Sequence, residues 1–304
     1  MPDIWGLAAI LAKFVLYVAA FGTAGLVIVR IVFAAATAPL AKRIQKQTLG
    51  LAVLTLLASV LGFALRGAAL TGGADGMTDP EMLALLWQTP VGEALALRLW
   101  GAALIVAGLC IPRKGQSTAQ WIAQGIAQWI AQGIVLAGAL LVLGSFTQIG
   151  HIRGLDQVGA SILLWLHLIG IALWIGVLPP LHYLSRKPEH LGEAAHLGHR
   201  FGQIAVIAVP ALLMAGLVMG WMLIGSLAGL IQTTYGAVLL IKVALVAVLL
   251  GLAAANKLRF VPAMLGGDTG AAGHLARSIE IETAVVLLVL AITATLTSVL
   301  SLPG

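Results

Sequence analysis

Cysteine occurs once in 304 residues, at Cys110. A single thiol excludes an intramolecular disulfide and any Cys-x-x-Cys metal site. Charge is also scarce: Asp, Glu, Lys and Arg make up 9% of the chain, against about 25% in soluble domains. That leaves little material for a soluble domain. The net charge of +6 is not a nucleic-acid signature, because the basic residues are scattered over short connections. Nucleotide-binding loops, hydrolytic triads and carboxylate dyads are missing, which argues against ATP-driven transport and against an enzyme. The opening Met1-Pro2-Asp3-Ile4 has no basic residue. No cleavable signal peptide is expected, and the first apolar helix should stay as an anchor.

What fills the chain instead is apolar: 61% of residues are hydrophobic and the mean hydropathy is +1.06. A helix needs about 20 apolar residues to cross a hydrocarbon core of about 30 Å. Eight stretches are long enough: 5–34, 48–69, 91–111, 128–149, 160–184, 203–227, 236–257 and 281–301. Lipid offers no partner to backbone N–H and C=O groups, so each must be helical. The predicted fold is all-α, a polytopic membrane bundle of eight transmembrane helices.

Basic residues orient the bundle. The odd connections hold Lys42, Arg43 and Lys46, then Arg113 and Lys114, then Arg186, Lys187 and Arg200, then Lys257, Arg259 and Arg277. The even connections hold Arg153, with Arg66 at a helix end. Positive loops stay inside. Both termini are then expected to face outward, as are Met77, His151 and Arg153, which is the periplasm if the membrane is the bacterial inner membrane that the resemblance below implies. His190, His196 and His199 are expected in the cytoplasm. In the second connection, Asp79-Pro80-Glu81 predicts the start of a short surface helix.

Two repeats are visible. AQWIAQGI occurs in tandem at 119–126 and 127–134, and reads as a slipped duplication that lengthens the fourth helix into the cytoplasm. Gln88-Thr89-x-x-Gly92-x-x-Leu95-x-x-Arg98 recurs as Gln232-Thr233-x-x-Gly236-x-x-Leu239-x-x-Lys242, and Gly22 and Gly62 align with Gly176 and Gly216. Four helices per half give both copies one orientation. The halves are predicted to be two parallel four-helix repeats, 1–149 and 150–304, an arrangement that places transport sites at repeat interfaces. Lys13 of the first half aligns with His167 of the second.

The chain reads as organised around Leu163–Leu184, which carries His167 inside an apolar span. An ionisable residue at that depth is by default a functional candidate. His151 lies sixteen residues upstream. The sixth helix runs the other way and carries Met214, Met219 and Met222. Met219 and Met222 are three apart, hence on one face, and Met219 should lie near the depth of His167. Thioether sulfur favours Cu(I), and imidazole suits copper in either state. The competing reading of the methionines is gap-filling packing. The candidate metal set is His151, His167, Met219 and Met222, with Met77 as a first point of capture. His196, His199 and Cys110 are exit candidates, although a solvated loop also accounts for the histidine pair. Arg98 and Lys242 are expected to snorkel to the outer interface. Glu280 and Glu282 are expected to start the eighth helix, where negative charge suits its dipole.

Beyond these single residues, the second half resembles the copper-resistance protein D (CopD) family of bacterial inner-membrane proteins. The likeness runs through Gly150-His151, Leu166-His167, Trp174-x-Gly176, Arg200-Phe201, Gly216 and Thr234-Tyr235-Gly236-x-x-Leu239-x-x-Lys242. It continues in Ala255-Asn256-Lys257, Arg277-Ser278 and Glu282. The resemblance implies copper uptake across the inner membrane, often beside a periplasmic CopC-type copper-binding partner. It also puts His151 and His167 on the family's histidine positions. Other classes remain open: a haem-binding redox membrane protein, or an assembly factor that delivers copper to an oxidase. Bis-histidine haem is disfavoured, because His182 shares a helix with His167 and no facing buried histidine is expected.

Overall fold

Thr, Ser and Asp side chains open many of the helices, and apolar runs of membrane length sustain them. The structure, a computed structural model, describes residues 4–111, 118–150 and 158–298. Eleven helices are found among them: α1 (Ile4–Val32), α2 (Ala41–Thr71), α3 (Pro80–Trp87), α4 (Pro90–Cys110), α5 (Thr118–Gly144), α6 (Val158–Ser185), α7 (Leu191–Ile224), α8 (Leu227–Gln232), α9 (Thr234–Ala255), α10 (Val261–Leu265) and α11 (Gly270–Leu296). Eight of these segments are long and apolar enough to cross a membrane. The predicted surface helix is α3: Asp79 caps it by accepting from the Glu81 N–H at 3.0 Å. Both copies of the tandem octapeptide lie within α5.

The repeated Gln-Thr motif does one job twice. Thr89 caps α4 by accepting from the Val91 N–H at 3.2 Å, and Thr233 caps α9 by accepting from the Gly236 N–H at 3.0 Å. Each cap satisfies a helix N-terminal donor that would otherwise lack a partner. A short helix precedes each, α3 or α8. Its last turn packs so closely that a side chain on Gly92 or Gly236 would strike the Trp87 or Leu230 carbonyl.

The centre of the bundle is α1, with α6 packed against it. In the most apolar window of α1, 72% of residues are buried, against 33% for α6 and 6% for α9. Helices α2, α5, α6 and α11 all pack on α1. The run Ala19-Ala20-Phe21-Gly22-Thr23-Ala24-Gly25 is wholly buried. Small residues let neighbouring backbones approach, which is how helices associate in lipid. At the α1–α6 crossing, Gly25 and Gly176 meet backbone to backbone, and a Cβ on either would overlap the other.

Several helices outrun the apolar spans at one end of the bundle. That end carries Lys42, Arg43, Lys46, Arg186 and Arg277, and is called the basic end below. There α2 begins at Ala41 rather than 48, α7 at Leu191 rather than 203, and α11 at Gly270 rather than 281. Two expectations fall with these boundaries. His196 and His199 lie within helix, not in a loop, and Glu280 and Glu282 lie well inside α11 rather than at its start. Glu280 instead ties α11 to α6. His182 donates from Nε2 to its Oε1 at 3.1 Å, and Arg186 and Arg277 stand at 3.6 and 3.2 Å.

Candidate functional site

Helix α6 presents His167 to α7, where two features of the sequence make room for the ring. Gly216 has no side chain, and a Cβ there would stand only 3.2 Å from the His167 Cε1. Four residues earlier, the Leu212 carbonyl accepts a hydrogen bond from His167 Nδ1 at 3.0 Å. A carbonyl oxygen can only accept, so the proton sits on Nδ1 and Nε2 keeps its lone pair. Fixing one ring nitrogen with a backbone carbonyl while the other stays basic is how proteins prepare histidine for metal ligation.

Met219 is buried at 6% exposure, three residues beyond Gly216 on the same face of α7. Met222 follows one turn later, half-buried. The ring lies level with Leu212 and Gly216, so Met219 stands about one turn (about 5 Å) further from the basic end. Met214 points away, at 59% exposure. Lys242 of α9 lies within Coulombic range of the His167 ring. Next to the site, a cavity of about 10 Å³ is lined by Gly170, Trp174, Phe201, Ala205, Val209 and Leu212. It has room for about one water.

The remaining candidates are spread through the molecule. His151 lies outside the described residues. Met77 is half-buried in the turn after α2, in the other half of the chain. Cys110 ends α4, exposed, on a helix that packs against α2 and α5. His196 and His199 are exposed at the basic end of α7, about 20 Å along the axis from Leu212. Among the described residues, no group of three or more His, Cys, Asp or Glu is placed to hold a metal ion. His167 and Met219 lie on α6 and α7, two helices that pack together. No second buried histidine faces His167 among the described residues, and His182 is engaged by Glu280.

Lys13, which the sequence aligns with His167, has other surroundings. Lys13 donates to the Thr297 carbonyl at 2.7 Å, and Tyr17 lies 3.1 Å from the Thr297 hydroxyl. Arg98 does not snorkel. It is 6% exposed, donates from Nε to Ser145 Oγ at 2.9 Å, and lies over the Phe146 ring at 4.9 Å. These contacts anchor the end of α11 away from the basic end, and the end of α5, to α1 and α4, a structural role.

Sequence reasoning placed one buried residue, Glu282, at a helix start and missed its surroundings. Glu282 is 2% exposed. Trp174 Nε1 donates to its Oε1, and Asn256 Nδ2 donates to its Oε2 at 3.0 Å. The signal was available: a carboxylate at the edge of an apolar span, preceded by the helix-forming run Ala271-Ala272-Gly273-His274-Leu275-Ala276.

Comparison with known proteins bears on what this site handles. Residues 1–154 match the profile described as Copper resistance protein D-like, N-terminal domain, and residues 195–296 match that of Copper resistance protein D. Copper transport protein CutJ of Bacillus subtilis (strain 168) is 31% identical over 168 residues, 54% of this chain and 29% of that protein. The stretch in common thus spans under a third of that relative. Copper resistance protein D of Pseudomonas syringae pv. tomato is 27% identical over 263 residues, 80% of this chain and 79% of that one. No solved structure matches.

Proposed function

The chain belongs to the copper resistance protein D family, and from that membership we propose that it carries copper inward across the bacterial inner membrane, from periplasm to cytoplasm. The observation that carries this reading is the prepared His167 ring. Its Nδ1–H is tied to the Leu212 carbonyl, its Nε2 is basic, and the thioether of Met219 is buried one turn further out on the same helix face. A neutral imidazole–thioether set suits Cu(I), and it binds a monovalent ion without bringing net negative charge into lipid.

In this account the basic end is cytoplasmic. A CopC-type periplasmic protein delivers copper at the opposite end, where His151 and Met77 capture it. Met222 and Met219 pass it to His167. It then moves along the α6–α7 contact, past the small cavity beside Trp174. His196 and His199, three apart on the exposed end of α7, receive it, with Cys110 as a second soft acceptor. Two ligands of modest number at each station favour release as well as capture. The test is copper content in cells lacking other importers. Expressing the protein raises cytoplasmic copper several-fold at limiting external copper, and unchanged or reduced copper would refute inward transport.

The ring's seat is tested separately. Gly216→Val adds a Cβ that would stand 3.2 Å from Cε1, with branched carbons beyond it, and is expected to displace the imidazole from the Leu212 carbonyl. Loss of such an orienting partner costs about 10–100-fold in metal affinity. A Cu(I) competition titration should show that loss, with Gly62→Val, at a glycine facing open space, unaffected.

A further inference from the structure

Glu282 lies twelve residues inside α11, about 18 Å from its start, and both of its carboxyl oxygens accept from neutral donors. Among the described residues, no Lys, Arg or His lies within 4.0 Å of it. The charged groups on the elements packed around it lie elsewhere: on α9, Lys242 is fourteen residues before Asn256 and within Coulombic range of His167. On α6, His182 and Arg186 hold Glu280, as does Arg277 of α11 itself. On α1, Lys13 and Tyr17 hold Thr297, and Arg30 donates to the Ala34 carbonyl at 3.2 Å. Beyond Asn256, Lys257 lays its stem against Gly202 of α7. An ionised carboxylate buried in a membrane with only neutral partners is costly, so it calls for a balancing cation.

Two further oxygens lie at the same place without partners. Ser278 is one turn back on the same face of α11, 6% exposed, with its Oγ unpaired. Asn256 has its Oδ1 buried and unpaired. Asn256 also opens a π-helical turn, Asn256–Phe260, a local break that recurs at functional sites. The acceptor atoms here, from Glu282, Asn256 and Ser278, are all oxygens, which suit a proton or hard cation, not Cu(I). The amide can serve two states. With Glu282 ionised, Asn256 Nδ2 donates to the carboxylate. With Glu282 protonated, a flip of the amide turns Oδ1 to accept the new O–H.

We propose that Glu282, with Asn256 and Ser278, is a proton-binding site of this membrane protein, loaded and unloaded as it works. Combined with the copper reading on which this step rests, it makes copper movement proton-coupled, with exchange through the basic end of the bundle. One proton joins the Glu282 carboxylate and one leaves it per cycle, with no bond to the metal.

The test uses the full chain in liposomes. Infrared difference spectra across a pH titration should show a buried carboxylic acid C=O band that titrates in wild type, disappears in Glu282→Gln and shifts in Glu282→Asp. With copper outside and a pH dye inside, wild type should move protons when copper enters. Glu282→Gln should lose that proton signal and the dependence of copper flux on the pH gradient, while binding Cu(I) within about 2-fold of wild type. Absence of a band lost in the variants, or proton movement surviving in Glu282→Gln, would overturn the proposal. So would a copper flux that follows sodium instead of pH. If Glu282→Gln fails to fold, the band shift in Glu282→Asp decides. If wild type moves no copper, the copper reading falls, and the infrared band still decides the proton site.

Discussion

Replacing His167 by alanine reduces copper-dependent accumulation to that of cells without the protein, at unchanged protein level. The size of the effect follows from the site. Among the described residues, His167 is the one candidate ligand with a ring nitrogen already fixed by the backbone, and removing even a ligand's orienting partner costs about 10–100-fold in affinity. Loss of the ligand itself should exceed about 100-fold. The cost to folding is small by comparison. The ring makes one hydrogen bond, worth about 1 kcal/mol net, and it is half-buried against a glycine. Accumulation measured in cells with matched membrane levels of both proteins checks this. Wild-type copper content in the variant would remove His167 from the path.

The second large effect is on the scaffold. Gly176→Leu places a side chain into the backbone of Gly25 at the crossing of α1 with α6. Overpacking a core costs about 1–3 kcal/mol when side chains can yield. Here the obstacle is backbone, so α1 and α6 must separate, and α1 is the helix on which α2, α5 and α11 also rest. Fluorescence-detected size-exclusion after heating in detergent should show the monodisperse peak of Gly176→Leu lost at temperatures that wild type survives. Gly62→Leu, at a glycine with open space around it, should match wild type. Equal stability of the two variants would mean that the close crossing contributes little.

Eight membrane spans were legible because lipid imposes a length and leaves helix as the only way to pair the backbone. What that rule could not see was the basic end. It counts apolar residues, and the starts of α2, α7 and α11 mix charges with helix-forming alanines and leucines. Their true helical extent, with pairs such as Arg277–Glu280 at 3.2 Å, was taken for loop, which hid Glu282 as a helix-start carboxylate. Nor could hydropathy find the central helix. The window in α9 is more hydropathic than that in α1, 2.7 against 2.1, yet far less buried. In lipid an exposed face is as apolar as a buried one. The usable clue to α1 was its run of Ala and Gly. His167 and Met219 were legible as residue types at matching depth, but the Leu212 carbonyl and the Gly216 opening depend on how α6 and α7 cross, which no spacing encodes. Arg98 was misread for the same reason: its partners, Ser145 and Phe146, lie on another segment.

The most direct measurement of the central claim is a Cu(I) competition titration of the purified protein in detergent, comparing wild type with His167→Ala. The account predicts tight binding in wild type and a loss of more than about 100-fold in the variant. Equal affinity in the two proteins would contradict it, and would place any copper site away from the α6–α7 contact.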